Sequence, residues 1–263
     1  MDVESTLREL DGLFQSGQID RVEGFLTERY ERARAEGDFG AQLCLLNELI
    51  GYYREMTLQQ QARQTAERIL AVIEEAGLAG TLAEGTSLMN VANAYRFLGQ
   101  YEASEQCYRR VEEIYGALLD RADLRWAGLY NNASLLYNAL GDFGKAADSL
   151  RKALEIVRAR EGTEIEQAVT YTNLGQAYLR LQDNAAAEEA LLEAERLFGL
   201  TGKKDSHYGG CANALGTLYY GLGQYERAAA YYGEALQNIR ETVGMTENYR
   251  LVEENLRACQ EKT

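Results

Sequence analysis

The sequence predicts an all-α fold, a right-handed α-solenoid of antiparallel helix pairs with a C-terminal capping helix. Three observations predict it. The 263 residues include no proline, the residue that breaks helix interiors. Similar segments recur at a spacing of 41 or 42 residues between positions 81 and 240. Apolar residues within them follow the three- and four-residue spacing of a helix with one buried stripe, and stacking of successive pairs is needed to bury such stripes.

Four anchor tyrosines centre the clear repeats: Tyr95, Tyr137, Tyr178 and Tyr219, at spacings of 42, 41 and 41. Leu-Gly begins three residues after three of these anchors, where the first helix of each pair should end, and glycine there suits a left-handed C-cap. The third repeat has Gln182 in place of that glycine. Each tyrosine is followed nine residues later by a small residue and thirteen residues later by a bulky one, namely Ser104/Tyr108, Ala146/Leu150, Ala187/Leu191 and Ala228/Tyr232.

The pattern divides the chain into six helix pairs and a last single helix. In chain order, the expected elements are a degenerate first pair over 1–37, a second pair over 38–78, clear pairs over 81–120, 124–161, 164–201 and 205–240, and a capping helix over 244–261. End elements should deviate from the pattern because they present a wet outer face. No Ser/Gly-rich linker interrupts the repeats, so we predict one solenoid over 1–263 rather than two domains.

These repeats resemble the tetratricopeptide repeat. The small-residue, Leu-Gly, Tyr, Ala and Tyr/Phe positions of that family are matched in order, and Ala153, Ala194 and Ala235 supply its last alanine, which Val111 replaces in the first clear repeat. The family's closing proline is missing. Its usual period is 34 residues, so each helix here is longer by about one 3.6-residue turn, which keeps every face in phase. Long repeats of this kind resemble those of kinesin light chains, and such arrays are common in bacteria.

Charge and composition exclude several functional classes. The formal net charge of −14 argues against nucleic acid and anionic membrane surfaces, since both need a basic protein surface. The first residues do not form a signal peptide, and no run of 18 apolar residues is present. The four cysteines lie far apart in sequence without a CxxC motif. We therefore predict a cytoplasmic protein with reduced, buried cysteines.

No pattern in the sequence indicates catalysis. His207 is the only histidine and lies in a turn between repeats. There is no Gly-rich phosphate loop, HExxH motif or EF-hand pattern. The acidic residues follow helical spacing with arginines, as solvated helix faces do. We therefore predict a protein that is not an enzyme and that uses no cofactor or metal.

A column of asparagines marks the candidate binding surface. Four of them precede a tyrosine by five residues, and Asn255 has the matching place in the last helix; the four are Asn47, Asn90, Asn132 and Asn173. Asn213 is displaced from the column by one residue. A carboxamide both donates and accepts hydrogen bonds, so it can pair with the backbone of an extended peptide of any sequence. The resemblance to kinesin light chain repeats implies the same use, in a concave groove lined by the first helices. The alternative is that each asparagine bonds the neighbouring helix.

Polar and basic residues surround this column. The neutral ones are Asn93, Asn131, Asn138, Thr172, Gln176 and Thr217. Arg54, Arg96 and Arg180 fall near the ends of the same helices, where a guanidinium can bind a carboxylate with two hydrogen bonds. The alternative for each arginine is a surface salt bridge. The clamp of chaperone-tail-binding members of the family uses lysines, and these positions have none, which disfavours that activity.

We therefore predict a non-catalytic scaffold that holds an extended segment of a protein or peptide partner. The predicted partner-binding residues are Asn47, Asn90, Asn93, Arg96, Asn132, Asn173, Arg180 and Asn255, and the arginines allow for an acidic partner. One alternative is a peptide-pheromone-type sensor without its own DNA-binding domain. Another is a structural subunit that self-associates through exposed tyrosines, so the expected state is a monomer or a weak homo-oligomer.

Overall fold

The computed structural model describes residues 2–203, 205–242, 244–245 and 247–262, and these form helices and no strand. The helices of the described residues form antiparallel pairs, α1/α2 to α11/α12, followed by α13, and this confirms the predicted fold class. A short 3₁₀ turn, Ile19–Arg21, precedes α2. The helices are α1 Val3–Gln15, α2 Val22–Ala35, α3 Phe39–Glu55, α4 Gln59–Glu75, α5 Leu82–Phe97, α6 Tyr101–Leu118, α7 Leu124–Ala139, α8 Phe143–Arg158, α9 Glu164–Arg180, α10 Asn184–Leu200, α11 Tyr208–Gly221, α12 Tyr225–Thr242 and α13 Glu247–Gln260.

The chain forms two compact units, Met1–Asp120 and Arg121–Thr263. In the first unit, α3 packs against its partner α4 and also against α5, the first helix of the next pair. In the second unit, α9 packs against its partner α10 and against α7 and α11, the first helices of the pairs on either side. First helices are therefore neighbours within each unit. The single solenoid over 1–263 stays a prediction.

Aspartate side chains fix where several helices begin. Asp38, Asp142 and Asp183 each accept a hydrogen bond from the backbone N–H three residues later, at 3.0, 3.1 and 3.1 Å. Such N-caps satisfy donors that the first turn of a helix leaves unpaired. Thr81 caps α5 in the same way, and Glu84 reaches back to the backbone N–H of Gly80. Part of the acidic composition is thus used to set helix boundaries.

The Leu-Gly turns end the first helices in the left-handed conformation that the sequence predicts. Gly99, Gly141 and Gly223 have φ values of 71°, 77° and 73°. Gln182, which replaces the glycine in the third clear repeat, has a φ of 61°. The next N–H, from Asp183, still donates to the carbonyl of Tyr178 at 3.0 Å, as a Schellman cap requires. The turn geometry therefore persists although the glycine is lost, and Gln182 is strained by it.

We expect Gln182→Gly to stabilise the protein by about 0.5–1 kcal/mol. A left-handed non-glycine residue costs about 1–2 kcal/mol, and the larger entropy that glycine loses on folding offsets part of the strain that is relieved. Urea denaturation of the full chain would measure it. The reciprocal change Gly223→Gln should destabilise by a similar amount. Equal stability of all three proteins would contradict a strained left-handed Gln182.

Close contact between the two helices of a pair depends on glycine in three repeats, and the contact is tightest in two of them. A Cβ on Gly175 would lie 2.5 Å from Cγ of Leu191, and one on Gly216 would lie 2.6 Å from the ring of Tyr232. Leu191 and Tyr232 are buried bulky residues of the second helices. The bulky side chain of one helix thus lies directly on the backbone of its partner. This contact fixes the distance between the helices.

We expect Gly216→Ala to destabilise the protein by about 1–3 kcal/mol, since the added methyl group overlaps the buried Tyr232 ring. Gly233→Ala in α12 is the matched control because nothing lies within 4 Å of a Cβ there. It should stabilise by up to about 1 kcal/mol through helix propensity alone. Thermal unfolding followed by circular dichroism would measure both. A gain in stability for both variants would show that the helices of this pair do not need the close contact.

All four cysteines are free. Cys211 and Cys259 are buried, whereas Cys44 and Cys107 are half-buried. Burial raises the pKa of the Cys107 thiol to about 11 and that of Cys211 to about 12. Because the thiolate is the reactive form, these two side chains are poor nucleophiles at neutral pH.

Candidate functional site

In the first unit, the asparagine column connects neighbouring first helices. The Nδ2 group of Asn90 on α5 donates to Oδ1 of Asn47 on α3 at 3.1 Å. Asn47 in turn donates through Nδ2 to Oγ of Ser87, again on α5, at 3.1 Å. Both carboxamides are half-buried, and Ser87 is buried. The three side chains therefore form a short hydrogen-bonded ladder between α3 and α5.

The second unit repeats this ladder between α7 and α9. The Nδ2 group of Asn173 donates to Oδ1 of Asn131 at 3.2 Å, and Asn131 donates to Oγ1 of Thr170 at 2.9 Å. The sequence alignment assigned Asn132 to this place, and the structure uses its neighbour Asn131. The side chain of Asn132 instead donates to the carbonyl of Gly128 in its own helix, at 2.9 Å. The Ser/Thr residue three positions before Asn90 and Asn173 was a signal for the ladder that sequence reasoning missed.

The ladder bonds leave part of each carboxamide unused. An asparagine side chain offers two N–H donors and two acceptor lone pairs. Asn47 uses one donor and one acceptor in the ladder, and Asn90 uses one donor. The remaining groups belong to half-buried side chains whose orientation the ladder fixes. The alternative considered for the column, a hydrogen bond to the neighbouring helix, thus occurs at Asn47, Asn90 and Asn173. It leaves some donors and acceptors of these carboxamides available to a ligand.

Two other predicted site residues lie outside the ladders. Asn93 is 6% exposed, and its Oδ1 accepts a hydrogen bond from the hydroxyl of Tyr108 at 2.6 Å. It therefore joins α5 to α6 within one pair. Asn255 is half-buried on α13, a helix that packs against α12. These placements separate both residues from the hydrogen-bonded column.

A pocket in the second unit spans three first helices. Its volume is ≈ 310 Å³, at the lower end of the range of small-molecule sites. The lining residues come from α7, the start of α8, α9 and α11, and none of them is acidic; they are Asn138, Phe143, Gln176, Leu179, Arg180, Asn213, Ala214 and Thr217. The Oδ1 atoms of Asn138 and Asn213 are buried and have no hydrogen-bond partner among the described residues. The exposed Arg180 lies over the ring of Phe143, 4.7 Å from its centroid.

The unpartnered oxygens of this pocket were not singled out by the sequence. Asn138 was recognised only as a polar neighbour of the column, and Asn213 only as a displaced member of it. Whether an amide finds a partner depends on the helices around it, which no spacing rule encodes. The pocket therefore presents two acceptors without donors, beside one exposed guanidinium, on a surface free of acidic lining residues.

Two arginines of the first unit lie at the ends of neighbouring first helices. Arg54 is in the last turn of α3 and Arg96 in the last turn of α5. Burial, and then the nearby charge of Arg96, lower the pKa of Arg54. The Nε group of Arg96 is buried without a hydrogen-bond partner. Within the described part of the chain, neither arginine forms an ion pair, so the surface salt bridge considered for them is not made there.

Family comparison identifies the repeats. Residues 85–117, 127–198 and 209–248 match the tetratricopeptide repeat family, and together these matches cover more than half of the chain. The chain is a tetratricopeptide-repeat protein. This fold is generally a non-catalytic protein-interaction scaffold, and no enzyme family is indicated. No curated protein sequence matches the chain significantly.

Solved structures of low sequence identity share the fold. BtubC (BKLC) from P. vanneervenii is 24% identical with a TM-score of 0.65, and the match covers 76% of this chain and 81% of that chain. A kinesin light chain protein of nearly identical repeats from Podosopora anserina is 18% identical, with a TM-score of 0.57 and coverages of 89% and 98%. NprR in complex with its cognate peptide NprX is 13% identical, with a TM-score of 0.72 and coverages of 98% and 73%.

Among the residues described, no helix combines the length and the apolar character that a membrane crossing needs.

We expect Asn47→Ala to destabilise the protein by about 1–2 kcal/mol, because it leaves the Nδ2 group of Asn90 and the buried Oγ of Ser87 without their ladder partner. Asn132→Ala is the matched control, since that side chain bonds only its own helix. It should leave stability unchanged or slightly higher, because alanine is the better helix former. Urea denaturation would compare the two, and equal effects would contradict a ladder that supports α3 and α5.

Proposed function

We propose that this protein is a cytoplasmic, non-catalytic scaffold that holds an extended segment of a protein or peptide partner against its first helices. One observation carries the proposal: the pocket of the second unit contains two buried, unpartnered amide oxygens, on Asn138 and Asn213. The four free cysteines fit a reducing compartment.

An extended peptide supplies the donors that this pocket lacks. Leaving a buried acceptor unpaired costs about 1–3 kcal/mol, so a movement of either half-buried side chain that brings its oxygen to an N–H group of a ligand is favoured. Alternate N–H groups of an extended backbone point to one side and lie about 6.6–6.8 Å apart, so one strand can serve acceptors on different helices. Gln176 can donate to backbone carbonyls of the same strand. Arg180 faces the same pocket and suits an acidic side chain of the partner.

The asparagine ladders support the same function. Asn47, Asn90 and Asn173 hold their carboxamides in fixed orientations on neighbouring first helices, so little side-chain entropy is lost when a peptide binds them. Asn132 is half-buried, and among the described residues its side chain bonds only within its own helix. Peptide binding by this fold is known in NprR, whose structure is that of a complex with its cognate peptide.

We expect Asn138→Ala/Asn213→Ala to weaken peptide binding at least tenfold while the free protein becomes no less stable. The stability follows because the substitution removes two unpaired acceptors and introduces a better helix former. A phage-displayed library of random dodecamers would first be selected on the wild-type protein. The affinity of the recovered peptides would then be measured for each variant by fluorescence anisotropy.

Asn184→Ala is the matched control, because Asn184 is exposed on α10, outside the pocket. It should bind the selected peptides like the wild type. If no peptide is recovered, or if the double variant binds as tightly as the control, the proposed function fails at this pocket.

A further inference from the structure

The pocket of the second unit is lined mainly by groups that form hydrogen bonds without carrying charge. Three carboxamides reach it from three first helices, Asn138 on α7, Gln176 on α9 and Asn213 on α11. Thr217 adds a hydroxyl one helical turn after Asn213. The pocket volume of ≈ 310 Å³ leaves room for one side chain of a partner rather than for a folded segment.

The charges around the pocket disfavour a cationic ligand. None of the described lining residues is acidic, so an ammonium or guanidinium group inside the pocket would lack a counter-charge. The lining instead includes Arg180, which is exposed and lies over the ring of Phe143, 4.7 Å from its centroid. Its charge opposes a second cation, and its N–H donors attract an oxygen atom.

The unpartnered oxygens disfavour an anionic ligand in the same pocket. The Oδ1 atoms of Asn138 and Asn213 are acceptors without donors in the part of the chain that the structure describes. Both side chains are half-buried, and the last torsion of an asparagine is broad, so rotation of the carboxamide can turn its oxygen toward the pocket. An N–H group would pair with such an oxygen, whereas a carboxylate offers only further acceptors.

We propose that this pocket selects a primary carboxamide, the side chain of a glutamine or asparagine in the partner. The NH₂ group of a carboxamide has two donors, one for each unpartnered oxygen, and its carbonyl oxygen can accept from Gln176 or Arg180. Its methylene groups can pack against Leu179 and Ala214. The selection rests on the proposed function, because it specifies which side chain of the bound segment enters the pocket.

Matched peptides test the selection on the full chain. A peptide recovered from the library would be scanned with alanine. The position whose substitution has no further effect in Asn138→Ala/Asn213→Ala is the one that faces the pocket. Versions with glutamine, glutamate, methionine or lysine at that position would then be compared by fluorescence anisotropy. Glutamine should bind at least tenfold tighter than each of the others, since a site built for hydrogen bonds rejects analogues that cannot form them.

A change of one lining residue should change the order of these peptides. Asn213→Asp keeps the size of the side chain and places a negative charge in the pocket. The affinity of the lysine peptide relative to the glutamine peptide should then rise at least tenfold over its wild-type value. Asn184→Asp is the matched control, because it changes the net charge equally at an exposed site on α10, and it should keep the wild-type order. If Asn213→Asp weakens all four peptides by the same factor, Asn213 is structural and the selection is overturned.

Small amides test the pocket without a peptide. Butyramide, butyrate and butylammonium would be titrated into the ¹⁵N-labelled full chain, and the side-chain NH₂ signals of Asn138, Gln176 and Asn213 followed by NMR. Butyramide should shift these signals saturably, with a Kd on the order of 10 mM, as for a fragment of this size. Butyrate and butylammonium should not. In Asn138→Ala/Asn213→Ala, butyramide should leave the signal of Gln176 unchanged.

The two arms separate the carboxamide site from the proposed function. Where peptides are recovered, their order decides, and a preference for glutamate, lysine or methionine, or no preference, overturns the carboxamide site and leaves the peptide scaffold intact. Where no peptide is recovered, the scaffold fails and butyramide decides. Saturable shifts then support a carboxamide site in a protein that does not hold peptides, and unchanged signals overturn it.

Discussion

The structure depends on how closely the two helices of a pair can approach. In the last two repeats, a bulky side chain of the second helix lies directly on a glycine of the first, as Tyr232 does on Gly216 and Leu191 does on Gly175. The interior tolerates no added atom at these points, since core packing is close to crystalline density. This contact occupies one face of each first helix. The positions on the other faces of that helix are not needed for packing against the second helix of the pair.

The ladders lie at those free positions. Asn90 and Asn173 are two residues before the small residues of their helices, Ala92 and Gly175, on a different part of the helix circumference. Because neighbouring first helices are already held together by the core, the asparagines do not need all of their hydrogen bonds for stability. A repeat of this kind can therefore keep its fold while its polar surface is adapted to a partner.

The sequence predicts the helix pairs well because periodicity, glycine turns and aspartate caps are local signals. The left-handed turn at Gln182 shows that the spacing also predicts geometry where the residue type departs from the pattern. The site is harder to predict. Asn131 and Asn132 are adjacent, about 100° apart on the helix, so a shift of one residue in the alignment changes which of them faces α9. The unpartnered oxygens of Asn138 and Asn213 depend on three helices at once, and no pairwise spacing contains that information.

The charge of the protein limits how it can recognise an acidic partner. With a formal net charge of −14, the field of the whole molecule repels anions at long range. Recognition of an acidic side chain must therefore come from short-range contacts, where a guanidinium held in a fixed geometry outweighs a screened background. Arg180 offers such a contact in the second unit, because it lies over the ring of Phe143 and none of the described residues that line its pocket is acidic.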